Sequence, residues 1–218
     1  MAIVAKTMSA ALRHAGKAGE TAFWRVRREA ARRRFAALPP GTKLHLGCGS
    51  NHFEGWVEVD LERKNHPDFL HDLRLGLPAP ARSCAYVYSE HLFEHLALAD
   101  AQRLMRDCAA VLQPGGVMRI AMPDLESLVG YYAGNWRDQP WIVDHKYTHL
   151  SSAAQMLNTA MRDWGHLYLY DFVDLEARLE GAGFEGVRRC AWGTSETDVL
   201  NGLETREDSR LVVEAVAQ

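Results

Sequence analysis

An α/β fold built on a mostly parallel sheet is the class this sequence predicts, and three observations predict it. From Lys43 onward short apolar runs alternate with helical patterns, as they do where crossover helices join parallel strands. The first run ends in a glycine turn, Gly47-Cys48-Gly49, where a backbone without Cβ atoms can turn tightly and let a ligand approach its N–H groups. The last helical pattern is followed by two strand-like runs instead of one, which predicts a closing hairpin with one strand antiparallel to the rest.

The elements follow in order. Residues 1–40 form a basic arm. Phe23, Val26 and Ala30 recur at helical spacing with arginines between them, so 21–37 is expected to be an amphipathic helix, and Pro39-Pro40-Gly41 ends it. The main domain is expected to span 41–218. Its strands are read at 43–47, 56–61, 69–73, 85–89 and 117–123, with a helix at about 99–112 that places Leu104, Cys108 and Val111 on one face and stops at Gln113-Pro114-Gly115-Gly116. Between Gly49 and Val57 there are too few residues for a crossover helix, so a turn is expected there. A second helix at 171–182 ends at Gly181-Ala182-Gly183-Phe184, and strands at 186–192 and 210–216 close the chain. Residues 124–166 break the rhythm with many aromatic and histidine residues. Such an insertion, at the carboxyl end of a parallel strand, is expected to form a cap over a substrate site.

Composition narrows the classes. The 218 residues suffice for a core without staples. Cys48, Cys84, Cys108 and Cys190 are 36, 24 and 82 positions apart, which provides neither a C-x-x-C pair nor a disulfide framework and points to a reducing, cytoplasmic setting. No apolar run approaches the roughly 18 residues of a membrane span, and no secretory signal pattern is present. The net charge of −3 is uneven: residues 1–38 carry nine Lys/Arg against Glu20 and Glu29, so the arm is about +7 and the remainder about −10. An arm of this kind can lie on an anionic membrane or another polyanion, or dock on its own acidic body. Nothing singles out nucleic acid as a partner.

Chemistry concentrates at the strand ends. Asp60 follows Gly49 by 11 residues at the end of the second strand, where a carboxylate can accept from both hydroxyls of a ribose. Asp72, at the end of the third, can accept from an exocyclic amino group. The third glycine of the dinucleotide fingerprint is missing, with Asn51 or His52 in its place, which argues against a nicotinamide oxidoreductase.

"LHLGCGSNHFEGWVEVDL", "HDLRLGLP", "AYVYSEHLFEHL", "LQPGGVMRIAMPD" and "LEARLEGAGF", in that order, resemble the class I S-adenosylmethionine-dependent methyltransferases, especially the bacterial group associated with cell-surface polysaccharide synthesis. The resemblance covers about residues 42–192. It implies a Rossmann-like, seven-stranded, mostly parallel sheet with one antiparallel strand and helices on both faces. It also implies S-adenosylmethionine as cofactor, with Gly47, Cys48 and Gly49 under its methionine part, Asp60 and Leu61 at the ribose, Asp72 and Leu73 at the adenine, and Ser89 and Glu90 at the tip of the fourth strand. His45 stands where the family usually has an acid.

His91-Leu92-Phe93-Glu94-His95 also matches H-x-x-E-H, the inverted zinc-protease signature. Five ordered motifs outweigh that one match, so His91 is placed beside the transferring methyl, with Glu94 and His95 opening a helix. His166, just before the later helix, is the other candidate base. The reading is an O-methyltransferase acting on a sugar or glycan precursor, and its scheme requires no metal. The alternatives are a non-catalytic S-adenosylmethionine-binding module and a zinc hydrolase.

Overall fold

A computed structural model of the chain describes residues 29–144 and 147–218. Phe23 and Val26 of the expected arm helix lie outside the described residues. Residues 29–35 are helical (α1), and this part of the arm docks on the body. Ala31 and Phe35 are buried where Ala30 was expected to be, Phe35 stacks on Phe69 with ring centroids 3.9 Å apart, and the Arg34 side chain donates to the Asp68 carbonyl.

Seven strands form one sheet: β1 (Thr42–Leu46), β2 (Val57–Asp60), β3 (Phe69–Leu70), β4 (Cys84–Glu90), β5 (Leu112–Met122), β6 (Phe184–Arg189) and β7 (Leu211–Ala217), in the order β3-β2-β1-β4-β5-β7-β6. β7 runs antiparallel to both of its neighbours and the other pairings are parallel. β1, β2, β4 and β7 are largely buried, because a parallel sheet is covered on both faces. Alternate residues serve different cores. Val87, Ile120 and Val213 join α1, helix α2 (Leu98–Val111) and the later helix at Phe172–Gly181 in the main cluster. Tyr88, Ala121 and Val212 face the second cluster with Trp56, Leu200 and Leu203. Trp56 ends a turn between β1 and β2, in keeping with a connection too short for a helix.

Helix α2 buries Ala101, Leu104, Met105, Cys108 and Val111 at helical spacing and carries Asp100 in its first turn, where the helix dipole favours an acid. It passes directly into β5, which begins at Leu112 and not at 117. Gln113-Pro114-Gly115-Gly116 therefore opens the strand as a bulge, the register with β4 stepping from Cys84↔Leu112 to Tyr86↔Val117. A Cβ at Gly116 would stand 2.9 Å from the Gln113 carbonyl oxygen and 3.0 Å from that of Ala85. Glycine is what permits this approach.

The insertion folds as a helical cap with its own small core. It comprises α3 (Leu125–Ala133), α4 (Pro140–Asp144), α5 (Ala153–Asn158) and a π-helical turn at Thr159–Asp163, packed around Leu128, Trp141, Ile142 and Met156. Asp124 caps α3, and Asp171 caps α6 (Phe172–Gly181). No helix among the described residues is long and apolar enough to cross a membrane.

One buried cation ties the far side of the sheet together. The fully buried Arg119 of β5 donates to Glu204 and to Glu214 of β7, each at 2.6 Å, and Glu214 also pairs with Arg188 of β6. Arg119→Met leaves two buried carboxylates short of their partner. It should lower stability by about 3–5 kcal/mol, read as a shifted midpoint in urea unfolding; a loss under about 1 kcal/mol would show the network to be dispensable.

Candidate active site

Two cavities open at the carboxyl edge of the sheet. The first, about 450 Å³, runs along the ends of β1 and β2 and is lined by Gly47, Asp60, Leu61, Asp72 and Leu73 on one side and by His91, Leu92 and His95 on the other. The glycine turn is held by β2. Gly47 N–H donates to the Val59 carbonyl (2.8 Å), and Gly49 N–H to Asp60 Oδ2 (2.9 Å). Gly47 and Gly49 both have positive φ, +68° and +54°, and a Cβ on Gly47 would meet the Leu92 side chain at 3.0 Å. Glycine is needed here for conformation and for space. Cys48 is buried beside Asp60 and Glu58, and this burial with the two negative neighbours pushes its thiol up to about 12. It is inert.

The Asp60 carboxylate accepts from Gly49 on one oxygen and from Glu62 N–H on the other (2.6 Å). Two backbone donors leave half of its acceptor capacity open to the cleft. Asp72 is more committed. It caps a 3₁₀ turn at Leu73–Leu75, and both of its oxygens receive the Arg74 guanidinium; burial alone would raise its pKa, but Arg74 holds it below the usual carboxylate value. The ordinary capping role of Asp72 is thus realised at the wall of the cleft.

Ser89 and Glu90 depart from expectation, since neither lines this cleft. Ser89 is fully buried. Glu90 accepts from the backbone N–H groups of Thr205 and Arg206 and from the hydroxyls of Thr205 and Ser209. It pins the loop before β7, and this is how Arg206 and Asp208, residues without a motif of their own, reach the site. His45, at the position of the expected acid, is not among the cleft-lining residues, and its Nδ1 lies 2.7 Å from Glu58 Oε2 of the neighbouring strand in a buried pair.

The second cavity, about 660 Å³, adjoins the first. Its walls are Trp141, Tyr147 and Trp164 from the cap, Arg206 and Asp208 from the β7 loop, and His91, His95 and His166. His91 and His95 border both cavities. The segment between them is not the continuous helix of a zinc protease. His91 is left-handed (φ +51°), Phe93–His95 form a 3₁₀ turn, and α2 starts only at Leu98, so the expected helix at Glu94 is replaced by a tight turn. The Glu94 carbonyl accepts from Leu167 and Tyr168 N–H, which draws His166 beside the turn, its ring 4.8 Å from that of His95.

The two histidines read as bases have opposite environments. Burial would lower His91, but the carboxylates of Asp208 and Glu94 outweigh it and raise its pKa to about 9, so in this arrangement it holds its proton at neutral pH and does not accept one. Burial holds His166 below the ordinary histidine value, and its Nδ1 lies 2.6 Å from the Ala160 carbonyl. Of the other cap aromatics, Tyr131 and Trp136 pack in the cap core and Tyr132 is half exposed.

A family model described as a methyltransferase domain matches residues 23–189. The chain belongs to that family. The fold has a solved counterpart in a SAM-dependent methyltransferase from Archaeoglobus fulgidus (18% identity, 87% of this chain and 94% of that one, TM-score 0.51), and the chain is also similar to one from Thermotoga maritima (15%, 92% and 96%, TM-score 0.49). Phosphoethanolamine N-methyltransferase 2 of Haemonchus contortus, solved with S-adenosyl-L-methionine, is more distant (15%, 87% of this chain and 52% of that one, TM-score 0.44). No match is found among curated proteins.

The methyltransferase uses S-adenosylmethionine, and the first cavity suits it. The glycine cradle, a carboxylate with free lone pairs at Asp60, the apolar faces of Leu61 and Leu73, and a volume within the roughly 300–1,000 Å³ of small-molecule sites all fit a nucleoside with a charged amino-acid arm. Asp60→Ala removes the ribose acceptor and a support of the Gly49 turn, and should weaken S-adenosylmethionine binding by roughly 2–4 kcal/mol in calorimetric titration. Unchanged affinity would take Asp60 out of the site.

Proposed function

We propose that the methyltransferase transfers the methyl group of S-adenosylmethionine to a hydroxyl of a sugar or glycan precursor held in the cap cavity. The observation that carries this reading is the shared wall. His91 and His95 border both cavities, so a cofactor in one and an acceptor in the other meet at that wall. When bound, S-adenosylmethionine supplies an electrophilic methyl on a positively charged sulfur. The chain's residues align the acceptor oxygen with that methyl and exclude competing water. The new O–C bond forms as the C–S bond breaks, its electron pair staying on sulfur, and the hydroxyl proton leaves toward Glu94 and His166.

The cap supports a sugar-like acceptor. Trp141 and Trp164 offer aromatic surface, and the Trp141 indole N–H is a buried donor without a partner in this wall. A ring that is apolar on its faces and rich in hydroxyl oxygens at its rim satisfies both features. Arg206 and Asp208 add one charge of each sign. Two further parts of the reading concern location. The four free thiols fit a reducing cytoplasm, and the basic arm offers positive charge to an anionic membrane or other polyanion.

The test is turnover on a panel of hydroxyl and amine acceptors. Once one is turned over, His166→Ala should lower turnover by about 10² to 10⁴ and leave cofactor affinity in place. Trp164→Ala should raise KM more than it lowers kcat. Turnover confined to amines would remove the hydroxyl assignment.

A further inference from the structure

We infer that His91, Glu94 and His166 form a binding site for one divalent transition-metal ion, of the Zn²⁺ or Mn²⁺ class, at the junction of the two cavities, where an oxygen of the acceptor completes the coordination. This deepens the methyl-transfer reading and rests on it for the identity of the last ligand. It also replaces the metal-free scheme read from the sequence.

The clearest sign is Glu94. Its side chain is fully buried with the His91 ring against Oε1, and its other oxygen, Oε2, has no hydrogen-bond partner. A carboxylate in that position is costly unless a cation faces it, and an orphaned buried polar group calls for an explanation such as an ion. His91 Nδ1 stands 3.0 Å from Glu94 Oε1, where a proton on His91 pairs with the carboxylate and a metal ion can take that proton's place. Two ligands at right angles around an ion with bonds of roughly 2.1 Å are separated by about 3.0 Å, so the spacing is that of neighbouring ligands.

Candidate ligand atoms of His91, Glu94 and His166 all lie within 4.8 Å of one another. Opposite ligands of such an ion stand about 4.2 Å apart, so a side-chain shift under about 1 Å closes the widest gap. His166 is prepared for the role. Its Nδ1 faces the Ala160 carbonyl at 2.6 Å, and because a carbonyl can only accept, Nδ1 carries the proton and Nε2 keeps its lone pair. This is the tautomer of a metal-bound histidine whose other nitrogen is anchored.

Asp208 stands in the place of an outer carboxylate. Its Oδ1 lies 3.6 Å from His91 Nε2, on the far side of the ring from Glu94. Two carboxylates around one histidine carry an excess of negative charge, which a proton or a metal ion can offset. Two imidazoles and one carboxylate suit borderline divalent ions and do not suit Ca²⁺ or Mg²⁺, which prefer all-oxygen sites. The donors come from the turn after β4 and from the end of the cap, and the two Glu94 carbonyl bonds to Leu167 and Tyr168 hold them together. Beside them the 660 Å³ cavity leaves room for the acceptor.

The full-length chain, cleared of metal by chelator, should be titrated calorimetrically with Zn²⁺ and with Mn²⁺, and with Co²⁺ followed by visible absorption. One equivalent of at least one ion should bind. Glu94→Gln and His166→Ala should each weaken it by about 100-fold or more, with S-adenosylhomocysteine affinity within about 3-fold of the parent chain. No uptake by the parent chain at about 1 mM ion, or uptake that both variants retain, overturns the site. If either variant also loses S-adenosylhomocysteine, the Co²⁺ spectrum of the parent chain decides: a nitrogen-ligated band supports the site and its absence overturns it. An absence of metal with S-adenosylhomocysteine still bound removes the ion alone. Failure of the parent chain to bind S-adenosylhomocysteine strikes the methyltransferase reading itself.

Discussion

A fully buried guanidinium organises the half of this molecule that carries the acceptor wall. Arg119 sits in the middle of β5 with 0% side-chain exposure, and two glutamates answer its charge: Glu214 directly across on β7 and Glu204 in the loop before it. A buried cation without partners would be too costly to keep. The antiparallel strand and its preceding loop are therefore held against β5, and Arg188 extends the network to β6. Glu204 uses its other oxygen to accept from Gly193 N–H, so the two loops on that side are joined as well. One residue further along, Thr205 and Arg206 enter the grip of Glu90 at the tip of β4. A chain of charge-assisted bonds thus runs from the sheet interior to the rim of the site, and Arg206 and Asp208 are its exposed end.

The site itself is assembled from short, constrained turns at one edge of the sheet. Gly47 and Gly49 take left-handed conformations, which glycine adopts freely. His91 takes one with a Cβ, at a cost of about 1–3 kcal/mol, with its N–H bonded to the Ala121 carbonyl of β5. That conformation turns the chain sharply out of β4 and sets the histidine between Glu94 and Asp208. Strain at this residue, a buried carboxylate oxygen without a hydrogen-bond partner next to it and an unsatisfied indole N–H across the cavity occur together where two cavities meet.

Much of the architecture was legible in the chain. The short strand-like runs of β1, β4 and β7 and the helical spacing of Leu104, Cys108 and Val111 are local signals, and local signals predict local structure. Spacing also showed that β1 and β2 could not be joined by a helix. The same locality explains the misses. Gln113-Pro114-Gly115-Gly116 has the composition of a helix stop and a loop, but pairing with β4 drew it into a bulged strand. Ala30 and Ala31 differ by one step of the helix, and only the docking of α1 on the body decided which of them is buried. The place of Asp72 at the cleft wall was read from sequence, and its capping bond to Arg74 N–H emerged only in the fold.

The sequence by itself determined a parallel α/β sheet, a glycine turn with a carboxylate 11 residues on, and a histidine-rich cap after the fifth strand. All of these rest on residues within about one element of each other. Only the tertiary structure decided what the cap and the last loop do. Glu90 reaches Thr205 across 115 positions, and the Glu94 carbonyl receives Leu167 and Tyr168 from more than 70 positions on. No periodicity records such contacts, because they arise when buried polar groups find partners as the layers close. For that reason Glu90, read as a cofactor residue, proved to be a clamp, and Glu94, read as opening a helix, came with Asp208, unremarked in the chain, to surround His91.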